Sequence, residues 1–191
     1  MSELVAAQAA LKSVFGFDAF RPGQPEIIGA VLDGENVLAV MPTGSGKSLC
    51  YQLPALLRPG LTVVVSPLIA LMRDQVRQLQ QLGVEAAALN SSIEYDEAKR
   101  IRQSMRDGKL KLLYVAPERL TRPDTVEMLD DAGVGLLAID EAHCVSQWGH
   151  DFRPEYLRLG EIREQIRASQ TIALTATADG PTRADIVDKL F

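Results

Sequence analysis

The feature that most constrains this chain is a glycine-rich turn between an apolar run and a helix-forming segment. Val37–Val40 is apolar, and Met41–Ser48 reads M-P-T-G-S-G-K-S. This layout is typical of a phosphate-binding loop, because unpaired backbone N–H groups and the positive end of a helix dipole point at one anion. The pattern G-x-x-x-x-G-K-[ST] has Met41 at its first position here, and Gly44 can supply the tight turn. The alternative is a glycine turn that only happens to precede Lys-Ser.

Each polar position of this loop has an expected role. Lys47 would reach the terminal phosphates of a nucleotide, and the Ser48 hydroxyl would bind the accompanying magnesium. The loop backbone would wrap the phosphates. That adds four positions to the predicted nucleotide site: Thr43, Gly44, Ser45 and Gly46.

Length and charge indicate one globular domain without a generally basic surface. A chain of 191 residues is long enough for one packed domain and short for two. Its net charge of −5 provides no overall field for nucleic acid, so any nucleic-acid surface must be local. Cys50 and Cys144 lack the spacing of a metal site or a disulfide framework. The chain shows no export signal and no apolar run near ~20 residues, which predicts a cytoplasmic protein without membrane contact.

Short apolar strands alternate with helices along the chain. Strands are predicted at 37–40, 62–66, 85–89, 111–116, 136–140 and 171–175. Helices are predicted at 4–14, 26–32, 47–57, 68–82, 95–105, 124–129, 161–167 and 182–190. This alternation predicts an α/β fold of three layers, with a mainly parallel sheet covered by helices on both faces. Ligands of such sheets lie beyond the carboxyl ends of the strands.

A pair of carboxylates follows the predicted strand at 136–140. Asp140 would hold the magnesium directly or through water, and Glu141 would orient and deprotonate the attacking water. The alternative is that the pair caps a helix beginning near Ala142. Because a phosphate loop lies about ninety residues upstream, the two motifs together favour magnesium-dependent nucleotide hydrolysis.

Further motifs carry a resemblance to a known family. Asp140–His143 reads D-E-A-H, and Thr175–Thr177 reads T-A-T at the end of the next predicted strand. With the phosphate loop, these motifs resemble the first RecA-like lobe of a superfamily-two helicase, and more narrowly the RecQ family of DNA helicases. The other matching motifs are F-R-P-G-Q at 20–24, S-P-L-I-A-L-M-x-D-Q at 66–75, Y-V-A-P-E-R-L at 114–120 and D-E-A-H-C-x-S-x-W-G-H-D-F-R-P-x-Y at 140–156.

The resemblance implies a RecA-like P-loop NTPase fold, ATP and Mg²⁺ as cofactors, and ATP-dependent DNA helicase activity in recombination and repair, with 3′ to 5′ polarity. It also implies an adenine site. Gln24 would read the adenine edge through its amide, and Phe17 or Arg21 would stack on the ring. Phe15 and Phe20 are expected in the core instead.

The resemblance gives roles to three residues near the catalytic strand. His143 would act with the catalytic residues Lys47, Asp140 and Glu141, linking hydrolysis to DNA contact through hydrogen bonds. Thr175 and Thr177 would connect the nucleotide end of the sheet to the DNA side. As hydroxyls after a strand, these two could equally cap the helix that starts near Pro181.

The segment Cys144–Tyr156 resembles the aromatic-rich loop that couples DNA to ATP hydrolysis in this family. It contains the only tryptophan of the chain, and aromatic rings stack on bases of any sequence. The predicted DNA contacts are Ser66, Trp148, His150, Phe152 and Arg153. Weaker candidates are Arg73, Asn90, Ser91, Ser92 and Arg119. The alternative for Trp148 is that it packs the loop onto the core.

Helicases of this type close two RecA-like lobes on ATP, and the second lobe supplies an arginine finger. Since the chain ends about one helix after T-A-T, residues 1–191 are expected to be one lobe of a longer polypeptide. Its expected partners are single-stranded and partly duplex DNA and the second lobe of the same polypeptide, in a bacterial-type, nucleoid-associated setting. Two alternatives are an RNA helicase lobe and a nucleotide-binding regulatory module without turnover.

Overall fold

A computed structural model describes residues 3–90 and 94–191, and in these ranges six strands form one sheet. The strands are β1 (Val37–Val40), β2 (Leu61–Val65), β3 (Ala86–Leu89), β4 (Leu112–Val115), β5 (Val134–Ile139) and β6 (Thr171–Thr175). Their order across the sheet is β1-β6-β5-β2-β4-β3, and every neighbouring pair is parallel. The predicted α/β class is confirmed.

Helices connect the strands and cover both faces of the sheet. They are α1 (Glu3–Ser13), α2 (Gln24–Leu32), α3 (Leu49–Leu57), α4 (Ile69–Gln81), α5 (Tyr95–Arg106), α6 (Pro117–Leu120), α7 (Pro123–Ala132), α8 (Leu159–Gln165) and α9 (Gly180–Leu190). Two 3₁₀ helices span Ala142–Val145 and Pro154–Arg158. The predicted helices are all present. Helix α6 and both 3₁₀ helices were not predicted from the sequence.

The helix after the phosphate loop begins later than predicted. Its expected start at Lys47 was wrong, because α3 begins at Leu49 and the two preceding residues form a turn. The N–H of Cys50 donates to the carbonyl of Lys47 at 3.1 Å, an i to i−3 hydrogen bond tighter than that of an α-helix. Lys47 therefore belongs to the loop rather than to the helix.

Both faces of the sheet are packed, which explains why β2 is buried at all five positions. Val63 and Val65 contribute to the core on one face, and Val64 lies in the core on the other face. This alternation follows from the two-residue period of a strand. The expected core packing of Phe15 and Phe20 is confirmed, since Phe15 is partly buried against one of these cores and Phe20 against a smaller cluster formed by α1, α2 and α3. Among the described residues, no helix is long and apolar enough to cross a membrane.

The parallel arrangement collects the candidate residues at one edge of the sheet. Met41 follows β1, Ser66 follows β2, Asp140 follows β5 and Thr175 ends β6. Because all strands run in one direction, these four positions share the carboxyl edge, where ligands of such sheets bind.

Candidate functional site

Backbone hydrogen bonds fix the phosphate loop and the acidic pair to neighbouring strands. The N–H of Met41 donates to the carbonyl of Thr175 at 3.0 Å, and the N–H of Asp140 donates to the carbonyl of Val65 at 2.9 Å. Each bond extends the strand pairing one residue past the strand end. The loop and the acidic pair therefore start from fixed positions in the sheet.

The methionine at the first position of the loop motif anchors the loop in the core. Met41 is buried, and the thiol of Cys50 lies 3.7 Å from its sulfur. Burial raises the pKa of Cys50 to about 12, so this thiol stays protonated. The turn itself is made by Gly44 and Gly46, whose φ angles of 82° and 80° are left-handed. Gly44 thus supplies the backbone freedom that the motif requires.

The predicted catalytic residues meet at the carboxyl edge. The Lys47 ammonium lies 3.2 Å from an Asp140 oxygen and 3.0 Å from a Glu141 oxygen. Burial lowers the pKa of Lys47, but the two carboxylates outweigh it and the net pKa is raised. Burial also raises the pKa of Asp140, against the opposing effect of Lys47. The site therefore holds one cation between two closely spaced acids.

Glu141 has an unusual backbone conformation for a residue with a side chain. Its φ of 53° is left-handed, and its N–H donates to an Asp140 carboxylate oxygen at 2.9 Å. Such a conformation costs about 1–2 kcal/mol for an L-residue. The Glu141 side chain makes no capping hydrogen bond to the following 3₁₀ helix, which disfavours the capping alternative. The backbone instead turns its carboxylate towards Lys47.

His143 joins the acidic pair to the end of β6. Its Nδ1 lies 2.8 Å from the Thr175 hydroxyl oxygen, and its Nε2 lies 3.6 Å from a Glu141 oxygen. The Thr175 hydroxyl donates to the carbonyl of Thr177 at 2.9 Å, so its oxygen accepts from the Nδ1–H of His143. Burial lowers the pKa of His143, which favours the neutral ring. The side chain that caps α9 is Asp179, which disfavours the capping alternative for the two threonines.

The segment Cys144–Tyr156 lies directly against this histidine. The ring of His150 stacks on that of His143 at 4.5 Å between centroids and 17° between planes. Trp148 is 71% exposed, so it does not pack the loop onto the core. Phe152 and Arg153 are half-buried, and the Arg153 guanidinium lies 3.4 Å from Asp151. Of the predicted DNA contacts, Trp148 therefore lies at the surface and His150 lies against the predicted catalytic residue His143.

Tyr156 is a site residue that sequence reasoning missed. It is fully buried on the second 3₁₀ helix, and its hydroxyl donates to the backbone carbonyl of Asp140 at 2.9 Å. The end of the loop is thereby tied to the predicted magnesium ligand. Tyr156 is the last position of the D-E-A-H motif that extends over 140–156, but a tyrosine in a sequence motif gives no sign of its hydrogen-bond partner.

The predicted adenine residues hold the phosphate loop in place. Gln24 is buried, accepts from the N–H of Arg21 at 2.8 Å and donates to the carbonyl of Gly46 at 3.0 Å. The Arg21 guanidinium donates to the carbonyl of Gly44 at 2.6 Å. A primary amide has two N–H groups and two acceptor lone pairs, so Gln24 retains one of each for a base.

A cleft of about 280 Å³ lies beside these residues. Phe17, which is half exposed, lines it together with Arg21 and Gln24. Gln75 and Gln78 of α4 also line this cleft, and sequence reasoning did not connect them with the nucleotide. The contact between these elements could not be predicted from sequence patterns, because helix α3 and strand β2 separate α4 from the phosphate loop.

The remaining DNA candidates differ in their accessibility. Ser66 is buried, and its hydroxyl accepts from the N–H of Leu68 at 3.3 Å. Arg119 and Asn90 are also buried, and the Arg119 guanidinium donates to the carbonyl of Asn90 at 3.1 Å. Both make internal contacts, whereas Arg73 is exposed on α4. The candidates Ser91 and Ser92 lie outside the described residues.

The oxygen ligands available for a metal suit Mg²⁺. Asp140 offers a carboxylate and Ser48 a hydroxyl at the mouth of the loop, and Mg²⁺ prefers oxygen ligands completed by water and substrate phosphates. These residues fit the predicted cofactor. Lys47 contacts one oxygen of the Asp140 carboxylate, and the N–H of Glu141 donates to the same oxygen.

Comparison with known proteins defines the class of this chain. The family model for the DEAD/DEAH box helicase matches residues 21–186, and the chain belongs to this family. The crystal structure of a hypothetical ATP-dependent RNA helicase from Sulfolobus tokodaii superimposes with a TM-score of 0.73 at 24% identity, covering 100% of this chain and 55% of that chain. That of the DUF1998 helicase MrfA bound to DNA gives 0.74 at 21% identity, covering 96% and 28%. At these identities the likeness shows the fold alone, and it confirms the predicted RecA-like lobe.

The resemblance to RecQ helicases is confirmed by closer relatives. The ATP-dependent DNA helicase RecQ of Haemophilus influenzae is 51% identical over 188 residues, which cover 98% of this chain and 30% of that protein. The ATP-dependent DNA helicase RecQ of Bacillus subtilis is 45% identical over 186 residues, which cover 96% and 32%. The chain therefore spans about a third of the length of these relatives.

Proposed function

We propose that this chain is the ATP-binding lobe of an ATP-dependent DNA helicase of the RecQ type. The observation that carries the proposal is the cluster at the carboxyl edge, where Lys47 lies between Asp140 and Glu141 and His143 contacts the aromatic-rich loop. Its similarity to proteins named DNA helicases selects DNA over RNA as the nucleic acid.

The phosphate loop binds ATP through its backbone and Lys47. As the phosphates arrive, Lys47 exchanges its two carboxylates for phosphate oxygens, because a triphosphate offers more negative charge at the same distance. Asp140 and Ser48 would hold Mg²⁺, which when bound would neutralise charge on the transferring phosphoryl group. The exchange also frees Glu141 to accept a proton from the attacking water.

DNA reaches the site through the aromatic-rich loop. Trp148 stacks on an exposed base, while Arg153 attracts the phosphate backbone. A displacement of the loop moves His150, whose ring stacks on His143. His143 in turn faces Glu141, so the position of this general base depends on whether DNA is bound.

The complete helicase requires a second RecA-like lobe of the same polypeptide, which supplies an arginine finger. With it, ATP hydrolysis drives 3′ to 5′ movement on single strands and unwinding of partly duplex DNA during recombination and repair. In this proposal the activity takes place at the bacterial nucleoid, in the cytoplasm. The isolated lobe binds ATP-Mg²⁺ weakly and hydrolyses it slowly.

Binding of nucleic acid to the 191-residue chain tests the proposal. Single-stranded DNA and RNA of equal length and sequence are compared for the wild type, Trp148→Ala and Tyr95→Ala. Tyr95 is a matched control, because it is an aromatic residue 80% exposed on α5 and does not belong to the aromatic-rich loop. We expect DNA to bind more tightly than RNA, and only Trp148→Ala to weaken DNA binding, by about 5- to 150-fold for one lost stack. Tighter binding of RNA would assign the lobe to RNA remodelling.

Turnover is tested in the polypeptide that contains both lobes. Glu141→Gln keeps the size of the side chain but removes its ability to accept a proton. We expect the variant to bind ATP like the wild type and to lose DNA-stimulated hydrolysis by about 100-fold or more. Wild-type protein that binds ATP without hydrolysing it, with or without DNA, would indicate a regulatory module.

A further inference from the structure

A chain of hydrogen bonds ties the aromatic-rich loop to the last helix. The Ser146 hydroxyl donates to an Asp185 carboxylate oxygen on α9 at 2.7 Å, and the N–H of Trp148 donates to the Ser146 oxygen at 3.1 Å. A hydroxyl has one proton, and here it goes to the carboxylate. The Ser146 oxygen is therefore oriented to accept from Trp148. Bonds linked in this way polarise one another and strengthen the chain.

The surroundings of Ser146 make this connection rigid. Ser146 is fully buried, so water does not compete for its hydroxyl. The N–H of Gly149 donates to the Ser146 carbonyl at 3.1 Å and closes a turn beneath Trp148. A Cβ at Gly149 would lie 2.9 Å from the His143 carbonyl, so this turn packs tightly against the predicted catalytic residue.

Asp185 is placed to serve as the fixed end of this chain. It is half-buried on α9, and its accepting oxygen also lies 3.7 Å from the Lys189 ammonium one helical turn later. A carboxylate acceptor makes a stronger hydrogen bond than a neutral one. The loop that carries Trp148 is thus fastened to a helix 39 residues further along the chain.

We propose that Ser146 and Asp185 are positioning residues that hold Trp148 in the orientation that meets DNA. The Trp148 side chain is 71% exposed, so few packing contacts hold it in place. Its backbone is held instead by the hydrogen bond from its N–H to the Ser146 oxygen. By the same contacts, a change in the loop on DNA binding moves α9. The DNA part of this inference rests on the proposed function, whereas the anchoring of Trp148 does not.

Fluorescence tests the anchoring directly, because Trp148 is the only tryptophan of the chain. Steady-state anisotropy and acrylamide quenching are measured for Ser146→Ala, Asp185→Ala and Asp185→Asn. Asp188→Ala is the control, since Asp188 is an exposed acid on the same helix. We expect the anisotropy to fall most in Ser146→Ala, which removes both bonds, and less in Asp185→Ala, which leaves the bond to Trp148. Asp185→Asn retains an acceptor and should behave like the wild type. Far-UV circular dichroism checks that each variant folds, and Asp185→Ala keeps the test valid if Ser146→Ala does not fold.

Single-stranded DNA binding is then measured by titration of the same tryptophan. We expect about fivefold weaker binding in Ser146→Ala and a smaller loss in Asp185→Ala, because DNA must now order a loose loop. Unchanged anisotropy in Ser146→Ala and Asp185→Ala would overturn the anchoring whether or not DNA binds. Lower anisotropy with normal DNA affinity would overturn the positioning role. If the variants show lower anisotropy but the wild type itself binds no DNA, the anchoring would be supported and the proposed function refuted.

Discussion

Alanine substitutions at two glycines of the phosphate loop distinguish the effect of backbone strain from the effect of displacing Gln24, the residue predicted to read adenine. Gly44 and Gly46 have nearly the same left-handed φ, 82° and 80°. An alanine at either position costs about 1–2 kcal/mol in backbone strain. A Cβ at Gly44 meets nothing within 4 Å, whereas a Cβ at Gly46 lies 2.5 Å from the Gln24 amide nitrogen. Gly44→Ala is therefore a control for Gly46→Ala.

The extra effect of Gly46→Ala can be worked out from the bonds that Gln24 makes. The new methyl group forces the amide away, which breaks its bond to the Gly46 carbonyl and disturbs the one from Arg21. Each hydrogen bond contributes about 0.5–1.5 kcal/mol, so about 1–3 kcal/mol is lost beyond the strain. If Gln24 also reads adenine through two hydrogen bonds, its displacement removes about 1–3 kcal/mol of binding as well, and ATP affinity falls about 5- to 150-fold more in Gly46→Ala than in Gly44→Ala.

Isothermal titration calorimetry with ATP and with tripolyphosphate measures this difference. Tripolyphosphate reaches the loop but carries no base, so its affinity should fall by the same factor in both variants. Thermal melts establish that both proteins are folded at the titration temperature. Equal losses of ATP affinity in the two variants, or an equal extra loss for tripolyphosphate, would refute the role of Gln24 in reading the base.

Three other substitutions test the packing around the site by thermal melting. Tyr156→Phe removes the hydroxyl that bonds the Asp140 carbonyl and should cost about 1–2 kcal/mol, or about 2–8 °C in Tm; an unchanged Tm would show that this bond contributes nothing net. Asp179→Ala removes the cap of α9. Because the backbone N–H of the first turn lowers the pKa of Asp179, its stabilisation is present above the unfolded pKa of about 3.9 and is lost as pH falls through the lower folded value. The Tm difference from wild type should therefore shrink in acid, and a constant difference would contradict a charged cap. Gly160→Ala drives a Cβ into the backbone carbonyl of Lys189 and should cost about 1–3 kcal/mol or more, whereas Gly180→Ala, with no neighbour within 4 Å, should not.

The strands could be predicted from the sequence because both faces of this sheet are covered. Buried parallel strands read as continuous β-branched or aliphatic runs, and Thr171–Thr175 was predicted to the residue. Helix α6, with Pro117–Leu120, completes only about one turn, so no apolar period could reveal it. The two 3₁₀ helices escaped prediction for the same reason.

The partners of the site residues could be predicted only where a motif names them. The phosphate loop and D-E-A-H pointed to the meeting of Lys47 with Asp140, since both motifs end strands of one parallel sheet. The bond of Ser146 to Asp185 joins residues 39 positions apart, and it depends on how α9 lies against the first 3₁₀ helix. A serine and an aspartate carry no periodic or spacing signal for such a pair. Long-range polar contacts therefore had to come from the structure.

The order of the strands gives Thr175 a special position in this site. Because β6 lies between β1 and β5, the phosphate loop and the acidic pair have no direct strand contact with each other. The carbonyl of Thr175 accepts from the first N–H of the loop, and its hydroxyl accepts from His143. One residue is thus bonded to the loop through its backbone and to D-E-A-H through its side chain. Any shift of β6 relative to its neighbours must change both contacts at once, which is a physical requirement for coupling the phosphate loop to the histidine that contacts the aromatic-rich loop.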